Sequence, residues 1–161
     1  RQMNKMITLN ITALTRLTYA AVPGFVARGN GSIINISSIV SIAPEILNGV
    51  YGASKAFVTA FSQSLHHELA DKGVRIQAVL PGATATEFWQ NGGLPLAHLD
   101  PEIVMSATDL VSAALLDFDR GELISIPSLQ DLSQWQVLEA QRKSLADKLS
   151  SNRPAARYNL V

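Results

Sequence analysis

Two short β-branched runs, separated by one helical pattern, limit what this chain can fold into. Ser32-Ile33-Ile34-Asn35-Ile36 reads as a buried strand entered from the turn residues Gly29-Asn30-Gly31, and residues 74 to 80 (VRIQAVL) read as another, stopped by Pro81-Gly82. Between them, residues 56 to 71 carry Phe57, Ala60, Phe61, Leu65 and Leu69 on one helical stripe, and Gly73 suits a left-handed cap at its end. Upstream, residues 1 to 28 place Met3, Met6, Ile7, Asn10, Ile11, Leu14, Leu17 and Ala21 at three- and four-residue steps, with a break or kink at Pro23-Gly24. Strands alternating with helices of this kind define an α/β chain with a parallel sheet.

The remainder continues the alternation. Ser106-Ala107-Thr108-Asp109 resembles a capping box, and the helix it opens has Leu110, Val111, Ala114, Leu115 and Phe118 on one stripe before Gly121 ends it. Residues 123 to 126 read as a last short strand. Residues 132 to 149 read as a polar amphipathic helix with Trp135, Leu138, Leu145 and Leu149 inward. The expected organisation is one domain over residues 1–150 and a frayed, arm-like tail over 151–161.

Composition excludes several classes of function. Thirteen basic and thirteen acidic residues cancel and neither sign forms a run, so neither a nucleic-acid footprint nor a polybasic membrane patch is present. The absence of cysteine excludes disulfides and thiolate metal sites, and no metal site is expected. No apolar run approaches the roughly 18 residues of a membrane span, and the N-terminus has no signal-peptide pattern. The expectation is a cytoplasmic protein with neither nucleic acid nor membrane as partner.

The chemistry-bearing residues cluster between the two strands. Tyr51 and Lys55 are four apart and share a helix face. An ammonium beside a phenol favours the ionised form; bringing a phenol from about 10 to about 7 takes about 4 kcal/mol of differential stabilisation. Tyr51 is therefore a candidate general acid–base. The Ser38 hydroxyl, at the strand's end, can donate to a carbonyl oxygen and accept from a tyrosine, whereas Ser37 reads as a strand-end hydroxyl capping backbone groups. Asn10 stands on an apolar stripe, where its amide needs a hydrogen-bond partner; from the residues alone it is a core or interface asparagine.

Tyr51-x-x-x-Lys55, with Ser38 thirteen positions upstream at the end of the IINISS strand and Pro81-Gly82 after the next strand, resembles the short-chain dehydrogenase/reductase family. The resemblance implies a three-layer, Rossmann-type doubly wound parallel sheet. It implies an NAD(P)-dependent oxidoreductase moving a hydride between the nicotinamide and a small carbonyl or alcohol substrate. Tyr51 would be the general acid–base, Lys55 would lower its pKa and hold the nicotinamide ribose, and Ser38 would position the carbonyl. LNITAL resembles the family's N-x-x-A/G segment, which gives Asn10 the role of holding a water in a proton relay to Lys55. PGATAT resembles the family's P-G-x-V-x-T segment, with Thr84 at the usual apolar position and Thr86 at the position that bonds the nicotinamide carboxamide or nearby phosphate oxygens. The implied cofactor-binding set is Ile36, Tyr51, Lys55, Pro81, Gly82, Thr84 and Thr86. The cofactor is NADP or NAD, with NADP slightly preferred, and a homodimer or homotetramer through the helices at 1–28 and 51–72 is expected. Two competing classes keep the same residues: a non-redox epimerase or dehydratase of this family, and a truncated, non-catalytic scaffold.

The chain also departs from the family pattern. A dinucleotide enzyme of this class carries a glycine-rich strand–turn–helix, and none of the ten glycines makes one, since Gly29-Asn30-Gly31 follows a helix and precedes a strand. By resemblance the sequence begins in the helix after the family's fourth strand, with about 90 residues, at about 30 per βα unit, on its N-terminal side. The strand at 32 would then expose an unpaired edge. The loop at about 87–100, with Phe88, Trp89, Leu94 and Leu96, reads either as a substrate lid or as a loop packed on its own domain. Glu45, Leu47 and Asn48 stand where family members contact substrate.

Overall fold

The computed structural model describes residues 2–47, 49–87 and 96–159. Asn48 and the greater part of the expected lid, with Phe88, Trp89 and Leu94, lie outside the described residues. The chain divides into two compact units, Arg1–Ser128 and Leu129–Val161.

In the first unit, the long N-terminal helical pattern forms α1 (Gln2–Ile7), a π-helical stretch (Thr8–Ala13) and α2 (Leu14–Arg28), the last running on through Pro23. Gly29 closes α2 at φ 64°, with the Asn30 N–H on the Phe25 carbonyl and the Gly29 N–H on the Val26 carbonyl. This crossed pair satisfies carbonyls that a helix end otherwise leaves open. The chain turns there into β1 (Gly31–Ile36). Two 3₁₀ turns, Ile39–Ser41 and Pro44–Ile46, lead to α3 (Gly49–Leu69). The helix therefore starts well before residue 56, and Tyr51 lies in its first turn. A 3₁₀ turn (Ala70–Lys72) and Gly73 at φ 75° then deliver the chain into β2 (Val74–Val79).

β1 and β2 pair in parallel from Gly31↔Val74 to Ile36↔Val79, and β2 pairs in parallel with β5 (Ile124–Ser125) on its other side. The order β1-β2-β5 puts β2 in the centre, which explains why five of its six residues are buried rather than every second one. Leu65, Leu69, Val74 and Ile76 form the core between α3 and this sheet, with Phe25, Val26, Ile33 and Phe61 packed against them. Among the described residues the far edge of β1 pairs with no strand. An apolar groove of about 500 Å³ runs along that edge, lined among others by Leu14, Leu17, Ile34, Ile36 and Lys55.

Several expectations are corrected here. A two-stranded parallel ladder joins β3 (Thr84–Ala85) to β4 (Met105–Ser106), pieces too short to leave a period in the sequence. Ser106 caps α4 (Ala107–Asp119) as expected, accepting from the Asp109 N–H and donating to the Asp109 carboxylate. Along the apolar stripe of α4, Ala114 is buried and Val111 and Leu115 are exposed. On α3 the buried line is Ser54, Val58, Ser62, Leu65 and Leu69, and Ala60 faces out. In the second unit, α5 (Leu132–Ser144) is capped by the Asp131 side chain and ends before residue 149; Leu138, Leu145 and Leu149 are exposed rather than inward.

Candidate active site

Because the three strands of the main sheet are parallel, their carboxyl ends open on one edge. Ser37 and Ser38 follow β1 there, Pro81 and Gly82 follow β2, and Ile126 to Ser128 follow β5. Residues beyond the carboxyl ends of such strands form the usual ligand crevice of an open α/β sheet. Backbone bonds knit the edge together, from the Ser37 N–H to the Val79 carbonyl and from the Ile39 N–H to the Pro81 carbonyl. A Cβ built on Gly82 would touch Ser128 and Ile39, so the turn after β2 lies against both neighbouring strand ends.

Into this crevice α3 brings Tyr51 and Lys55 on one face. The Tyr51 hydroxyl is hydrogen-bonded to the Ser38 side chain. Lys55 Nζ donates to the Ile36 carbonyl over 3.0 Å and stands 5.8 Å from the centroid of the Tyr51 ring. Asn10, at the centre of the π-helical stretch, donates through Nδ2 to Ser54 Oγ over 2.9 Å, and Ser54 donates to the Tyr51 carbonyl over 2.8 Å. The one hydroxyl hydrogen of Ser54 is committed to that carbonyl, which can only accept. Asn10 must therefore present its amide N–H₂, leaving Oδ1 turned away from Ser54. π-Helical turns are rare and recur at functional sites, and this one carries Asn10.

Ser38, Tyr51, Lys55 and Asn10 are thus brought together, with Ile36 joined to them through its backbone carbonyl rather than its exposed side chain. Pro81 and Gly82 share the same strand-end edge. Thr84 is buried on β3 and donates to the Gly82 carbonyl over 3.2 Å, whereas Thr86 is exposed just beyond β3. Ser37 caps backbone as expected, donating to the Lys55 carbonyl over 2.9 Å. Glu45 lies on the Pro44–Ile46 turn and Leu47 follows it. Ser54 was not singled out from sequence. Its signal is a hydroxyl three residues after Tyr51 on the buried line of α3.

One electrostatic expectation reverses. Burial pushes the Tyr51 phenol above its ordinary value, and the Ser38 hydrogen bond pulls against that rise without overcoming it. Burial also holds Lys55 below the ordinary lysine value. The ammonium directs a donor at Ile36 and lies over the ring at a distance, so desolvation outweighs its pull on the phenol. The consequence for stability has a definite sign. A phenol whose folded value exceeds the unfolded value near 10 contributes stability that is fully present below about pH 10 and is lost as pH rises through the folded value. Tyr51→Phe is therefore expected to flatten the alkaline fall of the urea midpoint above about pH 10. Equal slopes in the two proteins would contradict it.

The donor set can be tested against a dinucleotide. An ammonium has three donors, and one of Lys55's is used on Ile36. The Tyr51 ring stands beside it, and the two remaining donors suit a ribose diol. The chain supplies residues suited to the nicotinamide end; the glycine-rich turn that cradles a pyrophosphate is not among its ten glycines.

An open parallel sheet with a serine, a tyrosine and a lysine converging at its strand ends defines an α/β enzyme-type site. The family profile described as short chain dehydrogenase matches residues 1–94, and the chain belongs to that family. It is 44% identical over 140 residues to the very-long-chain 3-oxoacyl-CoA reductase of Macaca fascicularis, covering 85% of this chain and 45% of that protein. Its structure is similar to the short-chain dehydrogenase from Sphingobium yanoikuyae solved in complex with NADPH, with a TM-score of 0.91 and 45% identity, over 97% of this chain and 60% of that one. The bulky-bulky ketone specific alcohol dehydrogenase from Comamonas testosteroni superposes with a TM-score of 0.83 at 42% identity, over 97% of this chain and 58% of that one. The chain spans from 28% to 45% of the length of the vertebrate 3-oxoacyl-CoA reductases that it matches.

Proposed function

We propose that the whole protein is an NADP-dependent oxidoreductase that reduces a carbonyl flanked by bulky or extended apolar groups. The observation that carries this reading is the convergence of Ser38, Tyr51 and Lys55 at the carboxyl ends of β1 and β2. The relatives solved with NADPH and NADP support the choice of cofactor, and the ketone- and oxoacyl-reducing relatives support the substrate class. When bound, the dinucleotide supplies the hydride.

The chain's own residues handle the proton and the oxygen. Tyr51, held protonated by burial, donates from its hydroxyl to the substrate oxygen as negative charge develops there. Ser38 donates to the same oxygen and fixes its position between the two hydroxyls. Lys55 holds the ribose hydroxyls of the nicotinamide half, with Pro81, Gly82, Thr84 and Thr86 along the same edge. Asn10, on the π-helical stretch, holds the water through which Tyr51 is reprotonated. A phenol kept in its acid form favours the reducing direction. The exposed Tyr19 on α2, whose ring lies beside Phe61 of α3, supports assembly of the protein as a homo-oligomer through these two helices.

The reading is tested by following NADPH and NADH oxidation by the protein encoded by the natural gene against bulky ketones and 3-oxoacyl thioesters. Loss of NADPH in step with carbonyl reduction is expected. Conversion of substrate with no net change in NADPH would replace this reading with a non-redox activity.

A further inference from the structure

Ser38 and Tyr51 sit on different elements, and something must hold one against the other. A row of three hydroxyls does so. Ser41 Oγ donates to the Ser38 carbonyl over 2.7 Å, Thr59 Oγ1 donates to Ser41 Oγ over 2.9 Å, and Ser37 Oγ lies 2.7 Å from Thr59 Oγ1 and 2.9 Å from the Lys55 carbonyl. Thr59 and Ser37 are buried, and Thr59 stands one helical turn beyond Lys55 on α3.

The hydrogens in this row can be placed by counting. The carbonyls of Ser38 and Lys55 only accept. Ser41's single hydrogen goes to the Ser38 carbonyl, so Ser41 must accept from Thr59. Thr59's hydrogen is then committed, and it must accept from Ser37, whose hydrogen is shared with the Lys55 carbonyl. The row therefore has one direction, from Ser37 through Thr59 and Ser41 to the backbone of Ser38. Its two ends grip the backbones of Lys55 and Ser38.

We propose that Thr59, acting through Ser41 and Ser37, is a positioning residue that sets the Ser38 hydroxyl against Tyr51. This rests on the site reading above. None of the three hydroxyls titrates, and their mapped hydrogen bonds run to one another and to backbone, so the row acts by placing Ser38. Replacing Thr59 by the near-isosteric Val leaves Ser41 without its donor and Ser37 with the Lys55 carbonyl alone as acceptor, so the link between α3 and the Ile39–Ser41 turn is cut. The Ile39–Ser41 turn is then free to shift, and with it the hydrogen bond through which Ser38 pulls the Tyr51 phenol down. Besides Tyr51, the titratable groups on α3 are Lys55, His66, His67 and Glu68, and those on the elements packed against it include Lys5, Glu45, Asp71, Lys72 and Arg75. The variants below change none of them.

The test uses the whole protein as its natural gene encodes it, with Thr59→Val, Thr59→Ser, Ser41→Ala and Ser38→Ala. Tyr51 ionisation is read by ultraviolet difference absorbance against Tyr51→Phe. Thr59→Val and Ser41→Ala are expected to move the Tyr51 titration upward, towards that of Ser38→Ala, and Thr59→Ser to restore it. Combining Thr59→Val with Ser38→Ala is expected to move it no further than Ser38→Ala alone. Under NADPH-dependent turnover, kcat should fall about tenfold in Thr59→Val with KM nearly unchanged, as for a small misplacement of a reacting group. A folded Thr59→Val protein with an unshifted Tyr51 titration overturns the proposal; should that variant fail to fold, the same result in Ser41→Ala overturns it. If the wild-type protein turns over no NADPH, the functional reading fails, and the titrations still decide the role of Thr59.

Discussion

Tyr51→Phe is expected to lower kcat for carbonyl reduction by about 10²- to 10⁴-fold, the usual contribution of a positioned general acid. The substitution removes one hydroxyl and keeps the ring. Lys55 retains its bond to the Ile36 carbonyl, and Ser38 retains the Val40 N–H that it accepts over 3.3 Å. Binding of the dinucleotide and of the ketone should therefore change little, so the loss falls on kcat and equally on kcat/KM. Steady-state turnover together with a fluorescence titration of NADPH checks both parts. A protein that binds NADPH normally and reduces ketone at the wild-type rate would remove Tyr51 from the chemistry.

The largest expected loss of stability comes from Gly73→Ala. Gly73 has φ 75°, where a Cβ costs about 1–2 kcal/mol by local crowding alone. An added Cβ would also run into the Gly29 carbonyl oxygen, and that obstacle is backbone. The two glycine turns lie against each other where β1 and β2 begin their register at Gly31↔Val74, so relief of the clash pushes the strand starts apart. Overpacking of this kind adds about 1–3 kcal/mol, for a total of about 2–5 kcal/mol. Gly121→Ala separates the two contributions, because Gly121 has φ 79° and open space around its Cβ. Urea unfolding should show Gly73→Ala losing clearly more than Gly121→Ala. Equal losses would mean that the contact with Gly29 is easily relieved.

The parts of the molecule that sequence carried well are those written in local residue choice. Ile33, Ile34 and Ile36 behind a glycine turn, and the run from Val74 to Leu80 before Pro81, marked the two longest strands within a residue at each end. The Tyr51–Lys55 spacing and the position of Ser38 marked three side chains that the fold brings together. Other features depend on what packs where. The π-helical stretch around Asn10 alters backbone bonding without altering the three- and four-residue recurrence, so the pattern from Met3 to Ala21 could not show it. Ser54 and Ser62 hold buried positions on α3 because they bond Asn10, Asn35 and helix carbonyls, a partnership invisible to a rule that equates burial with apolar residues. Periodicity alone turns the stripe of α5 inward, and the exposed Leu138 and Leu145, like Val111 on the stripe of α4, show that a stripe records an apolar face without saying what covers it. The expected direction for the Tyr51 phenol reverses for a related reason: spacing places the ammonium nearby, but it does not report how far the fold buries the ring.

The most direct measurement of the central claim is isotope transfer. The protein encoded by the natural gene is incubated with a bulky ketone and NADPH carrying deuterium at the transferred C4 position, and the alcohol is analysed by mass spectrometry and NMR. The account predicts one deuterium on the carbinol carbon for each NADPH consumed, with the label's arrival slowed by the same large factor in Tyr51→Phe as turnover itself. Product that carries no label at that carbon, or product formed without consumption of NADPH, would contradict it.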